Sequence, residues 1–273
     1  MSNTEKLPVL GFIGTGTINA ALVRAFCRAE GPAFPIVVSP RNAEKAAALQ
    51  REFPERVRVA ASMQQVADEA DHVFVAVLPQ AARQVYSSLR FRPDASIIDL
   101  HPMISIEQVR AWTGVRGEVA HIIPLAFVAD VWGPLVLYPG DAAIRPLLES
   151  VSQVVATDGT DQTGAGQIIT SLEAPFFTLM DRLVDWSVEY GWSREAACSY
   201  VTAFFRAMCD QAAAGGPARL HELADEFTPG GYNWRVKCHL EENHGFAMWI
   251  DAMKPLMDEV LAGLHGSLTP PLE

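Results

Sequence analysis

The sequence has 273 residues, is 49% hydrophobic and carries a formal net charge of −11 at pH 7, so it can bury one large core or two smaller ones. The acidic balance argues against a nucleic-acid partner, and the lack of an apolar run of about 18 residues argues against a membrane partner. Four cysteines without a CxxC pair or a zinc-like spacing indicate reduced thiols and no metal site. Since residues 1–8 lack a signal-peptide pattern, we expect a cytoplasmic protein with a small-molecule substrate.

Short apolar runs alternate with helix-patterned segments, such as 42–53 and 62–69, through the first half of the chain. Because these runs are apolar nearly throughout, they predict a parallel sheet that is covered on both faces, which is a Rossmann-like doubly wound fold. The predicted strands are residues 8–13, 35–39, 57–60, 72–77, 95–99 and 118–123, with two further runs at 135–138 and 151–156.

The second half of the chain has a different pattern. Residues 163–191, 194–214 and 233–263 keep helical periodicity and contain no convincing strand. The sequence therefore predicts an N-terminal NAD(P)-binding domain at 1–158 and an all-helical substrate and dimerisation domain at 159–273, hinged near Asp158-Gly159.

The first predicted strand runs into a glycine-rich turn, G-F-I-G-T-G-T-I at residues 11–18. Gly14 can take the backbone angles of a sharp turn, and Gly16 lets the main chain approach a phosphate closely. The helix that follows would aim free N–H groups at a diphosphate, although Asn19 occupies the third glycine position of the motif. A purely structural turn is the alternative. The predicted cofactor-binding residues are Gly11, Gly14, Thr15, Gly16, Thr17 and Ile18.

The end of the second predicted strand indicates which dinucleotide binds. An NAD site usually has an acidic residue there, but the segment Val38-Ser39-Pro40-Arg41-Asn42 has none before Glu44. The Ser39 hydroxyl and the Arg41 guanidinium suit a 2′-phosphate. We therefore predict NADPH (NADP) in preference to NADH, with an exposed loop arginine as the alternative interpretation.

Three further stretches are A-D-H-V-F-V-A-V-L-P-Q at 70–80, T-P-G-G at 228–231 and G-F-A-M-W-I-D-A-M at 245–253. Together with the glycine-rich turn and the end of the second strand, they resemble the pyrroline-5-carboxylate reductase family, and the resemblance extends over nearly the whole chain. The resemblance implies a Rossmann domain that binds NAD(P)H and a helical domain that interleaves with a second subunit in a homodimer. It also implies hydride transfer to the C=N bond of a cyclic imine or imino acid, as in the formation of proline.

Two of these stretches also have a physical interpretation. Val77, Leu78, Pro79 and Gln80 follow the fourth strand at the carboxyl edge of the sheet, where such folds bind ligands, and are predicted to contact the cofactor. Thr228-Pro229-Gly230-Gly231 is predicted to open a helix at Tyr232 whose N–H groups bind a substrate carboxylate. An ordinary loop and a plain helix start are the alternatives. The predicted substrate-binding residues are Thr228, Gly230, Gly231, Tyr232 and Asn233.

The chain departs from the family pattern near the expected substrate. Met-Pro-Asn-Thr-Pro of the family reads Ile123-Pro124-Leu125-Ala126-Phe127, a Ser-Gly-Pro-Ala-Tyr-like stretch becomes residues 170–176, and paired threonines become Tyr232-Asn233. The new aromatic residues predict a bulkier or less polar substrate; they are Phe127, Phe176, Tyr232 and Trp234.

Three residues near these changes are predicted to be catalytic, namely His101, Glu173 and Tyr232. His101 follows the fifth strand, where a histidine can protonate an imine nitrogen; Tyr232 or water is another proton source. Glu173 on the interdomain helix is predicted to act as an acid or to pair with a cation. A loop hydrogen bond for His101 and a surface ion pair for Glu173 are the alternatives, and His121 is interpreted as a packing residue.

Two other functions stay open at this point. A 3-hydroxyacid dehydrogenase or related imine reductase also joins a Rossmann domain to a helical one; residues 163–185 contain no lysine, but Asp181 and Asp185 are available. The third function is a nucleotide-binding regulatory protein without catalysis, because the polar Asn-Thr pair expected near the nicotinamide is absent.

Overall fold

A computed structural model of the protein describes residues 7–101, 103–216 and 218–264. Residues 1–6, on which the expectation about a signal peptide partly rests, lie outside the described residues. The strands are β1 (Leu10–Ile13), β2 (Ile36–Val38), β3 (Val57–Val59), β4 (His72–Val75), β5 (Ser96–Asp99), β6 (Val119–Ile123), β7 (Pro134–Tyr138) and β8 (Gln153–Ala156). The helices are α1 (Thr17–Arg28), α2 (Ala43–Glu52), α3 (Met63–Glu69), α4 (Pro79–Ser88), α5 (Ile106–Thr113), α6 (Arg145–Leu148), α7 (Thr160–Ile169), α8 (Glu173–Glu189), α9 (Arg194–Ala213), α10 (Arg219–Asp225), α11 (Tyr232–Glu242) and α12 (Gly245–Leu264).

The eight strands form one sheet in the order β3-β2-β1-β4-β5-β6-β7-β8. All pairings from β3 to β6 are parallel, which confirms the predicted doubly wound fold. The added strand β7 runs antiparallel to β6, a direction that the sequence pattern does not specify. The reason is the connection: residues 124–133 form a short loop with one 3-10 turn, whereas a parallel return needs a longer crossover.

Both faces of the sheet are buried, as the apolar strands predict. On one face Phe12 of β1 stacks on Phe74 of β4 with ring centroids 4.7 Å apart, and Phe26 of α1 packs on both rings. On the other face Ile13 and Ile97 pack with residues of α3, α4 and α5. Each such side chain contributes about 1.5–3 kcal/mol through burial, so the sheet is a rigid support for the loops at its carboxyl edge.

The described residues divide into two compact units, 7–167 with 257–264 and 168–256. The division differs from the predicted boundary at 158/159, because α7 groups with the sheet. Gly164 of α7 leaves room for Met257 and Val260 of α12, where an added Cβ would lie 3.2–3.3 Å from their side chains. Gly166 approaches Val136 of β7 closely in the same way.

The second unit is helical, as predicted for this part of the chain. Val184, Ala197 and Val201 form its small core between α8 and α9. The short helix α10 was not predicted, because seven mostly polar residues carry too little apolar periodicity. None of the described helices is both long and apolar enough to cross a bilayer.

Candidate active site

The glycine-rich turn after β1 has the geometry of an anion site. Gly14 has φ +87°, and a side chain there would overlap the Ala76 carbonyl at the end of β4. Gly16 is the N-cap of α1, has no neighbour within 4 Å of an added Cβ, and no side chain caps the helix. The first-turn N–H groups therefore face open space and fit the diphosphate of a dinucleotide.

Asn19, at the third glycine position of the motif, lies beneath this turn and does not block it. It is fully buried, and its Nδ2 donates hydrogen bonds to the carbonyls of Ile13 and Gly14 at 3.1 and 2.9 Å. The Asn19 amide therefore fixes the conformation of the turn through hydrogen bonds. In the usual motif, glycine at this position allows close packing of helix and strand.

The end of β2 supports the same turn from the side. The Gly14 N–H donates to Ser39 Oγ at 3.0 Å, and Thr15 Oγ1 donates to the Ser39 carbonyl at 2.7 Å. Ser39 is fully buried, so its hydroxyl braces the glycine turn and is not presented to a 2′-phosphate, which corrects the predicted role.

Two cations stand near this turn. Arg41 is exposed and makes no ion pair with any residue that the structure describes. Lys45 of α2 is also exposed, and its Nζ donates to Thr17 Oγ1 in the first turn of α1 at 3.1 Å. Lys45 was not predicted; a lysine in the helix after the second strand is a signal that sequence reasoning could have used.

Gly11 is placed away from this turn, in the interior of β1. A Cβ at Gly11 would lie 2.5 Å from Ala70 and 2.8 Å from Val66 of α3, so this glycine is needed for helix packing. Thr17 and Ile18 are in the first turn of α1, as the cofactor prediction requires.

The predicted loop after β4 lies beside the glycine turn. Pro79 begins α4, which no side chain caps, and Leu78 is 59% exposed. Val77 lies next to the glycine turn: a Cβ added to Gly14 would be only 3.0 Å from Cγ1 of Val77. The structure thus brings the glycine turn and residues 77–80 together at the carboxyl edge of the sheet.

A buried cluster around Asp99 lies behind this loop. The Asp99 carboxylate accepts hydrogen bonds from Tyr86 Oη at 2.6 Å, His101 Nδ1 at 2.5 Å and His121 Nδ1 at 3.0 Å, and from the His101 N–H at 3.2 Å. Burial favours the protonated acid, but the two histidines outweigh it and hold the pKa of Asp99 well below its usual range. Burial, together with the Asp99 charge, raises the pKa of Tyr86 well above its usual value.

His101 is part of this cluster and is sealed from solvent. It is 2% exposed, and its Nε2 lies 3.0 Å from the Val77 carbonyl. With both ring nitrogens facing acceptor oxygens, His101 holds the β4–α4 loop against Asp99. The catalytic role predicted for His101 is therefore corrected to a positioning role, because no ring nitrogen is left for a substrate.

His121 occupies a different position in the same cluster. Its Nδ1 is bound to Asp99, and its Nε2 makes no hydrogen bond within the described part of the chain. The ring forms part of the wall of a small cavity that is open to solvent. The other lining residues are Ile104, Ser105, Ile106, Ile123, Tyr138, Thr160, Thr163, Gln167 and Leu264.

The remaining predicted site residues belong to the second unit. Gly230 has φ +81°, and the Gly231 N–H donates to the Thr228 carbonyl at 3.0 Å, which closes a turn. Gly231 is the N-cap of α11, which starts at Tyr232 as predicted and has no side-chain cap. Tyr232 is 86% exposed, and Asn233 is exposed beside it.

Glu173 starts α8 and is exposed, without the burial that the acid role assumed. Phe176 packs edge-on against Phe205 with ring centroids 5.3 Å apart, and is thus engaged within the helical unit. Across the described ranges, no group of three or more His, Cys, Asp or Glu side chains is arranged to hold a metal ion.

The parallel sheet, the uncapped α1 and the glycine turn define a class, the Rossmann-type oxidoreductases that bind a pyridine dinucleotide. The model of the family described as NADP oxidoreductase, coenzyme F420-dependent, matches residues 9–102. Pyrroline-5-carboxylate reductase of Pseudomonas aeruginosa is 30% identical over 201 residues, which are 70% of this chain and 72% of that protein. The chain belongs to the pyrroline-5-carboxylate reductase family, which confirms the predicted enzyme class, an NAD(P)H-dependent reductase that acts on a C=N bond.

Solved structures agree on the fold. The 1-pyrroline-5-carboxylate reductase of Streptococcus pyogenes superposes with a TM-score of 0.80 at 18% identity, covering 93% of this chain and 98% of that one. The Plasmodium falciparum pyrroline carboxylate reductase with NADP bound gives 0.79 at 16% identity, covering 94% and 98%. An imine reductase from Aspergillus terreus gives 0.53 at 14% identity, covering 96% and 95%.

Proposed function

We propose that this protein uses NADPH, in preference to NADH, to reduce the C=N bond of a small cyclic imine or imino acid. The observation that carries the proposal is the open, uncapped N-terminus of α1 behind Gly14-Thr15-Gly16. When bound, the dinucleotide supplies the hydride. The first-turn N–H groups of α1 would hold its diphosphate, and the loop at 77–80 would lie against it.

The preference for NADPH is supported by the charges at the end of β2. No acidic residue stands between Val38 and Arg41 to receive a ribose hydroxyl; Arg41 is an exposed cation just after β2, and Lys45 is an exposed cation that contacts the first turn of α1. A dianionic 2′-phosphate is stabilised by such cations and would be repelled by an acidic residue.

The substitution Arg41→Ala is expected to weaken NADPH binding by about 10–100-fold, because a charge-assisted hydrogen bond contributes about 1.5–3 kcal/mol. NADH affinity should change by less than about twofold, since the ribose of NADH carries no 2′-phosphate. Fluorescence titration of both cofactors measures this. Arg51→Ala is the matched control, because Arg51 is an exposed arginine in the last turn of α2. Equal losses for both cofactors would contradict the assignment.

The reaction itself is tested with a panel of substrates. NADPH oxidation is followed with cyclic imino acids, cyclic imines that lack a carboxylate, and 2-keto acids. Turnover with C=N compounds alone is the expected result. Turnover with keto acids alone favours a hydroxyacid dehydrogenase, and tight NADPH binding without any turnover favours a regulatory protein.

The substrate is proposed to be less polar than an ordinary imino acid. Leu125 and Ala126 stand where the family pattern has Asn and Thr, and Tyr232 and Trp234 at the start of α11 are exposed. In the panel, imines with an alkyl or aryl substituent should therefore have the higher kcat/KM.

We propose a cytoplasmic homodimer built through the C-terminal helices. Large apolar side chains of these helices are exposed on the single chain, among them Trp186, Tyr200, Phe204 and Ile250. The four cysteines are free thiols, and burial raises the pKa of the Cys27 thiol to about 11. Sedimentation equilibrium that gives the mass of one 29.8 kDa chain would contradict the dimer.

A further inference from the structure

His121 joins a buried carboxylate to an open cavity. Its Nδ1 lies 3.0 Å from Asp99 Oδ2 in the core of the sheet unit, and the ring is 5% exposed. Because Asp99 is an acceptor, Nδ1 carries a hydrogen, and Nε2 is the ring nitrogen that Asp99 leaves free on a residue that lines the cavity. A carboxylate that orients a histidine in this way is the arrangement used for proton transfer in many enzymes.

The contacts of the cluster support this role for His121. Both ring nitrogens of His101 are engaged, with Asp99 and with the Val77 carbonyl, so His101 has no nitrogen left to exchange a proton with a ligand. His121 is then free to exchange a proton through Nε2. Among the lining residues, Ser105 and Thr163 offer hydroxyl groups, and none is a lysine, arginine or carboxylate that would compete for the proton.

The cavity also lies where a ligand of this fold is expected. Ile104–Ile106 follow β5 and Ile123 ends β6, so the lining includes the carboxyl edge of two strands. This edge also holds the glycine turn and the loop at 77–80, and ligands of open α/β sheets bind there.

We propose that His121 is the proton-transferring residue of the imine reduction, an assignment that rests on the proposed function. The imine carbon receives the hydride of NADPH, the C=N electron pair moves to nitrogen, and that nitrogen takes the proton from His121 Nε2. The products are the amine and NADP⁺, and water entering the cavity returns a proton to Nε2. Asp99 orients the ring for the transfer through its hydrogen bond with Nδ1, as a carboxylate partner does for other acid–base histidines.

The test compares His121→Ala with His72→Asn. His72 is a partly buried histidine at the start of β4, the opposite end of that strand from the loop at 77–80, so its variant should keep wild-type turnover. With the imine that the wild type turns over fastest, kcat of His121→Ala should fall by about 100-fold or more at unchanged NADPH affinity. Added imidazole should restore at least a tenth of the lost rate, because it can enter the space left by the ring.

Two further readouts separate the outcomes. In the wild type without ligands, the nitrogen-15 spectrum of His121 should show a hydrogen on Nδ1, either with or without a second one on Nε2; protonation at Nε2 alone would overturn the assignment. The assignment would also be overturned by a turnover of His121→Ala within threefold of the wild-type value. A loss of turnover that imidazole does not restore, in a variant that binds NADPH normally, would overturn it as well. A wild type that oxidises NADPH with no imine removes the proposed function and, with it, this assignment.

Discussion

Replacement of Asp99 by alanine is expected to lower the free energy of unfolding by about 3–5 kcal/mol, because it removes one partner of a buried ion pair. The carboxylate is 1% exposed and accepts four hydrogen bonds. Without it, the Tyr86 hydroxyl and the Nδ1 atoms of both histidines lose their buried partner. Urea unfolding followed by far-ultraviolet circular dichroism measures the loss.

Asp94→Ala is the control for this prediction, since Asp94 is an exposed carboxylate paired with Arg92 at 3.2 Å and its removal should leave the urea midpoint unchanged. Asp99→Asn should lie between the two, because one acceptor oxygen remains. The pKa of Asp99 is lower in the folded than in the unfolded chain, so its stabilisation is present above about pH 4 and is lost as the pH falls further. A wild type and Asp99→Ala of equal stability at pH 7 would refute the role of the cluster.

Replacement of Gly16 by aspartate is expected to separate folding from cofactor binding. Gly16 has φ −84° and ψ −171°, which any residue adopts, and an added Cβ meets nothing within 4 Å. An aspartate N-cap should raise the stability of α1 by a few tenths of a kcal/mol, about the difference between aspartate and glycine at this position. The same carboxylate would stand where the diphosphate binds, and two like charges about 4 Å apart repel by about 4 kcal/mol at an effective dielectric of about 20.

The affinity for NADPH and for NADH should therefore fall by about 100–1000-fold, while the melting temperature stays equal or rises. Ser62→Asp is the matched control, because Ser62 caps α3 through its side chain and an aspartate there adds the same charge to another helix N-terminus. Undiminished binding of both cofactors by Gly16→Asp would exclude the glycine turn as the diphosphate site.

The sequence predicted what depends on local pattern. Apolar runs gave the eight strands to within a few residues, and Gly14 and Gly16 located the turn, because each follows from neighbours along the chain. The direction of β7 depends on its pairing with β6, and the packing role of Gly11 depends on the helix α3 that lies against it. The local sequence pattern contains neither piece of information.

The same limit explains the errors at the site. Asp99 and His101 are two positions apart in the sequence, but Tyr86 and His121 join them only through the fold, so the burial of His101 could not be predicted. Ser39 was assigned to a phosphate because nothing in its own segment shows that Gly14 uses its hydroxyl. The roles predicted for Tyr232 and Asn233 stay predictions.

The two outermost strands of the sheet have a consequence for self-association. β3 has three residues and β8 has four, and each pairs on one side only within the described chain. Strands this short offer too few backbone groups for a second sheet to extend the ladder, which is one way in which proteins avoid polymerising through open sheet borders. The short outer strands therefore disfavour growth of the sheet from one copy of the chain to the next.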